Sequence, residues 1–293
     1  MKLIRTMLTA VLTFGVLMTS SAYAIAEPAL WMVKGPHATV YLFGSVHVLK
    51  KDAPWRTPKI DAAIQKSGSL WLEIAELDDQ KAMQALVMQL GVDPQHPLST
   101  RLNKEELAKL DAVAKSAGLP GGEAAMEPLR PWTAAMTLSM IPMIKAGYDP
   151  SSGVELILKP EFVKAAKAVH GFETAAEQLH FLADMPERAQ VDYLDSTVKD
   201  FDAAAEKFNK IVASWYAGDQ EALNDEFNGE FRAKYPELYQ TLIVRRNEGF
   251  TKQIAELLKG DGTSFVAVGA AHLVGPDGVP AMLEKLGFTV ARQ

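Results

Sequence analysis

The 293-residue chain contains no cysteine. Disulfides, thiol nucleophiles and cysteine metal ligands are therefore excluded, and the fold must rest on its core alone. Basic clusters are missing too. The formal net charge is −6, and a mildly acidic chain without a basic patch does not suit nucleic acid as a partner. The His-Glu-x-x-His, Gly-x-Ser-x-Gly and P-loop patterns are absent, so none of those well-marked chemistries is signalled. Ser196-Thr197-Val198-Lys199 matches Ser-x-x-Lys, but no Lys-Thr-Gly or Ser-Asp-Asn accompanies it. No linker or low-complexity segment marks a second domain.

Long apolar runs are also lacking. The longest near the N-terminus, Met7 to Met18, has 12 residues, and a spanning helix needs about 20. Lys2 and Arg5 precede it and Ala22-Tyr23-Ala24 follows it. A positive start, a short apolar run and a small-x-small site predict a secretory signal peptide over residues 1–24. The expected product is a domain over residues 25–293, periplasmic or secreted, without a stable membrane anchor. Its 28 basic against 36 acidic residues would carry a net charge of −8.

The chain then reads as strands, helices and strands again. Leu30–Lys34, a Gly35-Pro36-His37 turn and Ala38–Phe43 suggest a β-hairpin, and Ser69–Ile74 a further strand. Residues 79–91, 103–117 and 128–146 carry apolar residues at helical spacing, with Met136, Met140 and Met143 expected in the core. Residues 154–168 and most of 174–258 read helical, with breaks near Pro186, Gly218-Asp219, Asn228-Gly229 and Pro236. Ala168–Phe172 suits a short strand and Ser264–Val268 a buried one; Val279–Leu286 is a helix and Phe288–Ala291 a last strand. The expected fold class is α/β: a central mixed sheet built from both chain ends, with a large helical middle region.

One internal echo stands out. Val40-Tyr41-Leu42-Phe43-Gly44-Ser45-Val46-His47 and Phe265-Val266-Ala267-Val268-Gly269-Ala270-Ala271-His272 each run as apolar strand, Gly, two small or apolar residues, then His. Six histidines and 20 glycines over 293 positions give about 0.4 Gly-x-x-His matches by chance. The strand context, rather than the count, makes the pair informative. Gly44 and Gly269 would let the backbone turn or approach a ligand closely. His47 and His272 would then stand at carboxyl strand ends, where open α/β sheets bind ligands, and imidazole serves there as metal ligand or general base.

Glu73 is the one acid in the apolar strand Ser69–Ile74, and Glu173 ends Val169–Glu173 in the same way. A carboxylate in such a place must be paired, metal-bound or at the strand mouth. Two histidines and two carboxylates suit Zn²⁺, Mn²⁺ or Co²⁺, and such an ion can activate water. Arg245-Arg246 offers a guanidinium for an oxyanion, or merely a solvated helix end. His37 and His96 are expected to be exposed; His170 and His180 either line the site or pack.

With these motifs in view, the chain resembles the TraB/GumN family, which includes the Tiki proteins. The resemblance spans nearly the whole chain after residue 24. It rests on Leu30-Trp31 with Tyr41–Val48, on Leu72-Glu73-Ile74, on Gly171-Phe172-Glu173-Thr174 with Glu177-Gln178, on Arg246-Asn247, and on Phe265–Leu273 followed by Gly275-Pro276-Asp277-Gly278. Gly153-Val154-Glu155 resembles a further acidic family position. Ala75 stands where an Asp often follows the acidic strand, and Phe172 replaces a usual Leu.

The resemblance implies an α/β fold related to the erythromycin esterase and ChaN-like group. For the Tiki branch it implies metal-dependent peptidase activity with Mn²⁺ or Co²⁺ ahead of Zn²⁺. Carried over, His47 and His272 would bind the ion, Glu73 and Glu173 would complete its shell or act as base, and Arg246 would steady an oxyanion. The substrate would be a peptide or small molecule. Two other readings stay open: a non-catalytic binder of peptide, haem or metal, and a metal-independent, esterase-like hydrolase using His47 with Glu73. The oligomeric state is open as well.

Overall fold

A computed structural model describes residues 27–76 and 79–293. The signal-peptide reading of residues 1–24 lies outside the described residues. Among the described residues eight strands are formed: β1 (Leu30–Lys34), β2 (His37–Ser45), β3 (Leu49–Lys50), β4 (Ser69–Ile74), β5 (Tyr148–Asp149), β6 (Ala168–Glu173), β7 (Asp261–Gly269) and β8 (Val290–Arg292). Six of them make one sheet in the order β6-β4-β7-β2-β1-β8. β6, β4, β7 and β2 run parallel, while β1 and β8 add antiparallel neighbours at one side. The protein is thus α/β, with a mixed sheet drawn from both chain ends and helices between.

The register follows from two-sided burial. In β2, Tyr41 and Phe43 point to one face and Val40 and Leu42 to the other; in β7, Phe265 and Ala267 oppose Val266 and Val268. A strand covered on both faces has no polar side to show, hence the continuous apolar runs. Against the first face pack α1 (Pro58–Lys66), through Ile60 and Ile64, and the later helices carrying Leu158, Phe162 and Trp215. Against the second lie Phe250, Ile254 and Leu258, with Val279 and Leu283.

The middle of the chain supplies α2 (Gln80–Gly91), α3 (Lys104–Ala117), α4 (Pro131–Lys145), α5 (Val154–Lys164), α6 (Ala175–Ala183), α7 (Glu187–Asp200) and α8 (Ala204–Ala217). The short α9 (Gln220–Asn224), α10 (Glu230–Lys234) and α11 (Pro236–Tyr239) lead to α12 (Arg245–Lys259) and then α13 (Val279–Lys285). Asn103 caps α3 and Thr174 caps α6, each in a reciprocal capping box with the glutamate three residues on. Among the described residues, no helix is long and apolar enough to cross a membrane.

Several local expectations are corrected. His37 opens β2 rather than sitting in the turn, which Gly35-Pro36 make alone. The last strand forms at Val290–Arg292, two residues later than expected, because the chain must first clear the end of α13. Asn228-Gly229 breaks nothing; the chain widens there into a π turn, Asp225–Gly229, and continues helical. Met136 faces solvent, since α4 is apolar nearly all round and buries the face of Trp132, Ala135, Leu138 and Pro142 instead. The β3–β5 pair was not foreseen: two residues a side leave no periodic signal.

Candidate active site

The four parallel strands end together. Ser45 pairs with Gly269 and Ile74 with Glu173. The loops after β2 and β7 carry His47 and His272, the ends of β4 and β6 carry Glu73 and Glu173, and α12 brings Arg246. All five expected side chains therefore meet at one mouth of the sheet.

Arg246 is the hub. Its Nε donates to Glu173 at 2.9 and 3.1 Å, and its Nη2 to Glu73 Oε2 at 2.5 Å and to Glu173 Oε2 at 2.8 Å. Nη1 reaches the Leu242 carbonyl at 3.3 Å and His272 Nε2 at 3.1 Å. The guanidinium lies between the rings of Phe181 and Phe250, at 5.7 and 5.4 Å. Every N–H of the group is thereby engaged, which leaves none for an oxyanion in this arrangement.

Glu73 is buried and fully satisfied. Besides Arg246 it accepts from the Gly269 backbone N–H at 2.6 Å and from Gln178 Nε2 at 2.9 Å. Burial pushes its carboxyl up, but the neighbouring positive charges and the Gly269 N–H outweigh that and hold it well below the usual range. Glu173 goes the other way: burial raises it despite Arg246.

The two histidines occupy opposite states. Asn247 is wholly buried, and its Nδ2 donates to the Asp277 carbonyl at 2.7 Å. That turns its Oδ1 toward His272 Nδ1 at 2.6 Å, so Nδ1 carries the proton and Nε2 is bare toward Arg246. Burial, joined by Arg246, holds His272 down to about 3, and the ring is neutral. Its pull on Glu73 therefore operates only in acid. At neutral pH the carboxylate is held by Arg246, the charged His47 and the Gly269 N–H.

His47 stands at the open side, its side chain 59% exposed, with Nδ1 2.7 Å from the buried Glu155 Oε1. That carboxylate, reinforced by Glu73, raises the imidazole to about 9. Ser45 Oγ donates to the same Glu155 oxygen. Nε2 of His47 faces Glu73 Oε1 at 3.8 Å. Beside this pair opens a cavity of about 220 Å³, lined by His47, Glu73, Glu155 and Gln178 with Ile74, Pro150 and Leu156.

Both motif glycines have steric reasons to be there. A Cβ on Gly269 would sit 3.1 Å from Glu73 Oε1 and 3.3 Å from His47 Nε2, in the centre of the cluster. Gly44 packs on Ala270, and its carbonyl accepts from the buried Trp215 Nε1 at 2.7 Å, tying the end of β2 to α8.

Glu155, Ser45, Gln178 and Asn247 complete the site beyond the five expected residues. Glu155 arrives because Gly153, where a Cβ would strike the His47 carbonyl, lets the start of α5 press on that loop. The acid in the Gly153-Val154-Glu155 segment was the available signal. His170 stays outside, stacked on Trp71 at 4.6 Å, and His96 pairs with Asp93 in solvent. His180 is exposed beside Asp184.

A family model for the TraB/PrgY/gumN family matches residues 29–292. The chain belongs to the TraB/PrgY/gumN family. It is 25% identical over 186 residues to proteins of Escherichia coli strain K12 and Shigella flexneri, both named "Uncharacterized protein YbaP"; the alignments cover 64% of this chain and 67% of each relative. No solved structure matches.

The resemblance drawn from sequence implies a divalent ion here, and the donors can be tested for it. His47 Nε2 and His272 Nε2 each stand 3.8 Å from Glu73 Oε1. Among the described residues, however, no group of three or more His, Asp or Glu is spaced to hold a metal ion. Arg246 is the reason: its cation already neutralises both carboxylates, and Nη1 takes the lone pair of His272. As arranged, these residues do not form a ligand shell.

Proposed function

We propose that the chain is an exported hydrolase in which His47 is the general base. The observation that carries this is the His47–Glu155 pair: a buried carboxylate fixes Nδ1 of a ring that lines a cavity, and Nε2 is left beside Glu73 without a hydrogen bond. Water there would give its proton to Nε2 while its oxygen attacks the carbonyl carbon of an ester or amide. Glu155 stabilises the imidazolium formed, which then returns the proton to the leaving group. Gln178 lines the same cavity, with its amide bonded to Glu73 and also drawn on by Glu173. Arg246 positions Glu73, Glu173 and His272 rather than touching substrate. Export is read from residues 1–24 alone, and the substrate is a peptide or a small ester.

A second reading is favoured by one observation. Both Nε2 atoms aim at the same Glu73 oxygen, and each ring has its Nδ1 held by an acceptor, as in many metal sites. A divalent ion, Mn²⁺ or Co²⁺ ahead of Zn²⁺, would then require Arg246 to leave His272. The deciding experiment is a peptide and ester screen with wild type, His47→Ala and His272→Ala, before and after exhaustive chelation. Turnover lost with His47→Ala but surviving chelation supports the first reading. Turnover abolished by chelation and restored by Mn²⁺ or Co²⁺ supports the second. Turnover indifferent to His47→Ala sinks both.

A further inference from the structure

A second cavity, of about 650 Å³, lies one layer of side chains from the site. Glu173 lines it and binds Arg246, which in turn binds Glu73. Phe181 lines it too, and its ring covers the Arg246 guanidinium. On α6, Gln178 turns to the small cavity while Glu177 and Phe181 turn to the large one. A molecule bound in the large cavity would therefore lie alongside the reacting centre.

The wall has a definite chemistry. Phe172, Phe181, Met185 and Pro186 make it apolar. Each of its three carboxylates has a local partner. Glu173 is held by Arg246. Glu177 accepts from the Thr174 backbone N–H at 2.7 Å and from its hydroxyl at 2.9 Å, in the first turn of α6, where the helix dipole is positive. Asp184 lies 3.0 Å from His180 Nδ1. Arg245 is different. It lines the cavity, and among the described residues it is the one arginine with no hydrogen bond, ion pair or ring contact. Its neighbour Arg246 is fully engaged one position along the same helix.

We infer that this cavity is a binding subsite for a carboxylate carried on an aromatic or aliphatic body, with Arg245 receiving the carboxylate. Arginine is suited to the task because its planar fork meets a carboxylate with two parallel hydrogen bonds. The apolar wall takes the body. Calling the occupant substrate rests on the hydrolase reading; the binding does not, and it is tested separately.

The probes are N-acetyl-phenylalanine and its carboxamide, equal in body and different in charge, titrated calorimetrically into the purified full chain. The acid is expected to bind about tenfold tighter than the amide, the worth of a charge-assisted hydrogen bond. Arg245→Gln should abolish that preference without changing the affinity for the amide, and Arg245→Lys should keep part of it. His47→Ala should leave the preference intact, so the subsite stands even if no hydrolysis is found. Equal binding of the two probes, binding of neither, or a preference that persists in Arg245→Gln overturns the assignment. So does a preference lost in His47→Ala, which would put the carboxylate in the smaller cavity.

Discussion

Glu155 and His47 form a carboxylate–imidazole pair across 2.7 Å, with the acid buried and the ring facing open space. No other histidine among the described residues joins a buried carboxylate at hydrogen-bonding distance to an open cavity at the strand mouth. The asymmetry gives the pair a direction. Glu155 holds Nδ1, and Nε2 is left on the Glu73 side of a ring that lines the cavity.

The pair sets a pH signature. His47 is raised from 6.5 to about 9, chiefly by the charge of Glu155. The base form therefore accumulates only as pH rises toward 9, and hydrolysis should climb along that alkaline limb. Glu155→Gln should move the limb toward 6.5 and lower the plateau on the order of 10²-fold. Stability follows the opposite course. The pair's contribution is complete below about pH 6.5 and fades as pH rises through about 9. A rate profile unmoved by Glu155→Gln would remove His47 as the base.

His272 predicts acid sensitivity. Unfolded, its ring takes a proton near 6.5; folded, not until about 3. Between those values the unfolded state binds the extra proton, so stability falls as the solution is acidified. His47 does not offset this, because its own contribution is already complete below 6.5. Urea midpoints should drop between pH 7 and pH 5 in wild type and drop less in His272→Asn. Equal slopes in the two proteins would mean that the buried ring is not held neutral.

Much of this architecture was legible because two-sided burial writes itself as apolar runs. Ser264–Val268 read as a buried strand, and Gly269 with His272 marked where it ended. The remainder depended on contacts distant in sequence. Glu155 sits in the first turn of a helix, where an acid also simply answers the helix dipole. Only the approach of Gly153 to His47 makes it a site residue. Composition alone did not separate Arg245 from Arg246; the family resemblance singled out Arg246. The rotation of α12 separates them: Arg246, Phe250 and Ile254 recur every four residues on the buried face, and Arg245 is left outside. That periodicity was readable. The partners Glu73 and Glu173, 173 and 73 positions away from Arg246, were not.

Gly269 separates fold from chemistry. Its backbone, φ −48 and ψ 135, is open to alanine without strain. The added methyl would enter the space between Glu73 and His47, which must give by a few tenths of an ångström. Gly269→Ala should cost about 1–3 kcal/mol in stability. Activity should fall on the order of 10²-fold, the cost of a displaced reacting group. Paired denaturation and rate measurements test this. Activity retained at wild-type level would show that the centre of the cluster is not where the reaction occurs.

Arg246 makes the largest stability prediction. Its guanidinium is the shared cation of the buried Glu73 and the partly buried Glu173, and all its N–H groups are spent inside the protein. Arg246→Met keeps the apolar stem between Phe181 and Phe250 but leaves Glu73 and Glu173 without that charge. Removing one partner of a buried ion pair costs about 3–5 kcal/mol, because the other charge stays desolvated. Adding Glu173→Gln should recover part of that loss, since a neutral amide asks less of its surroundings. In wild type, Glu173→Gln alone should cost less than Arg246→Met, because Glu73 keeps its cation. A double-mutant cycle measures the coupling directly. An Arg246→Met penalty below about 1 kcal/mol, the range of exposed ion pairs, would mean that the carboxylates do not depend on this cation. It would also weaken the steric and electrostatic case against an ion bound between the two histidines.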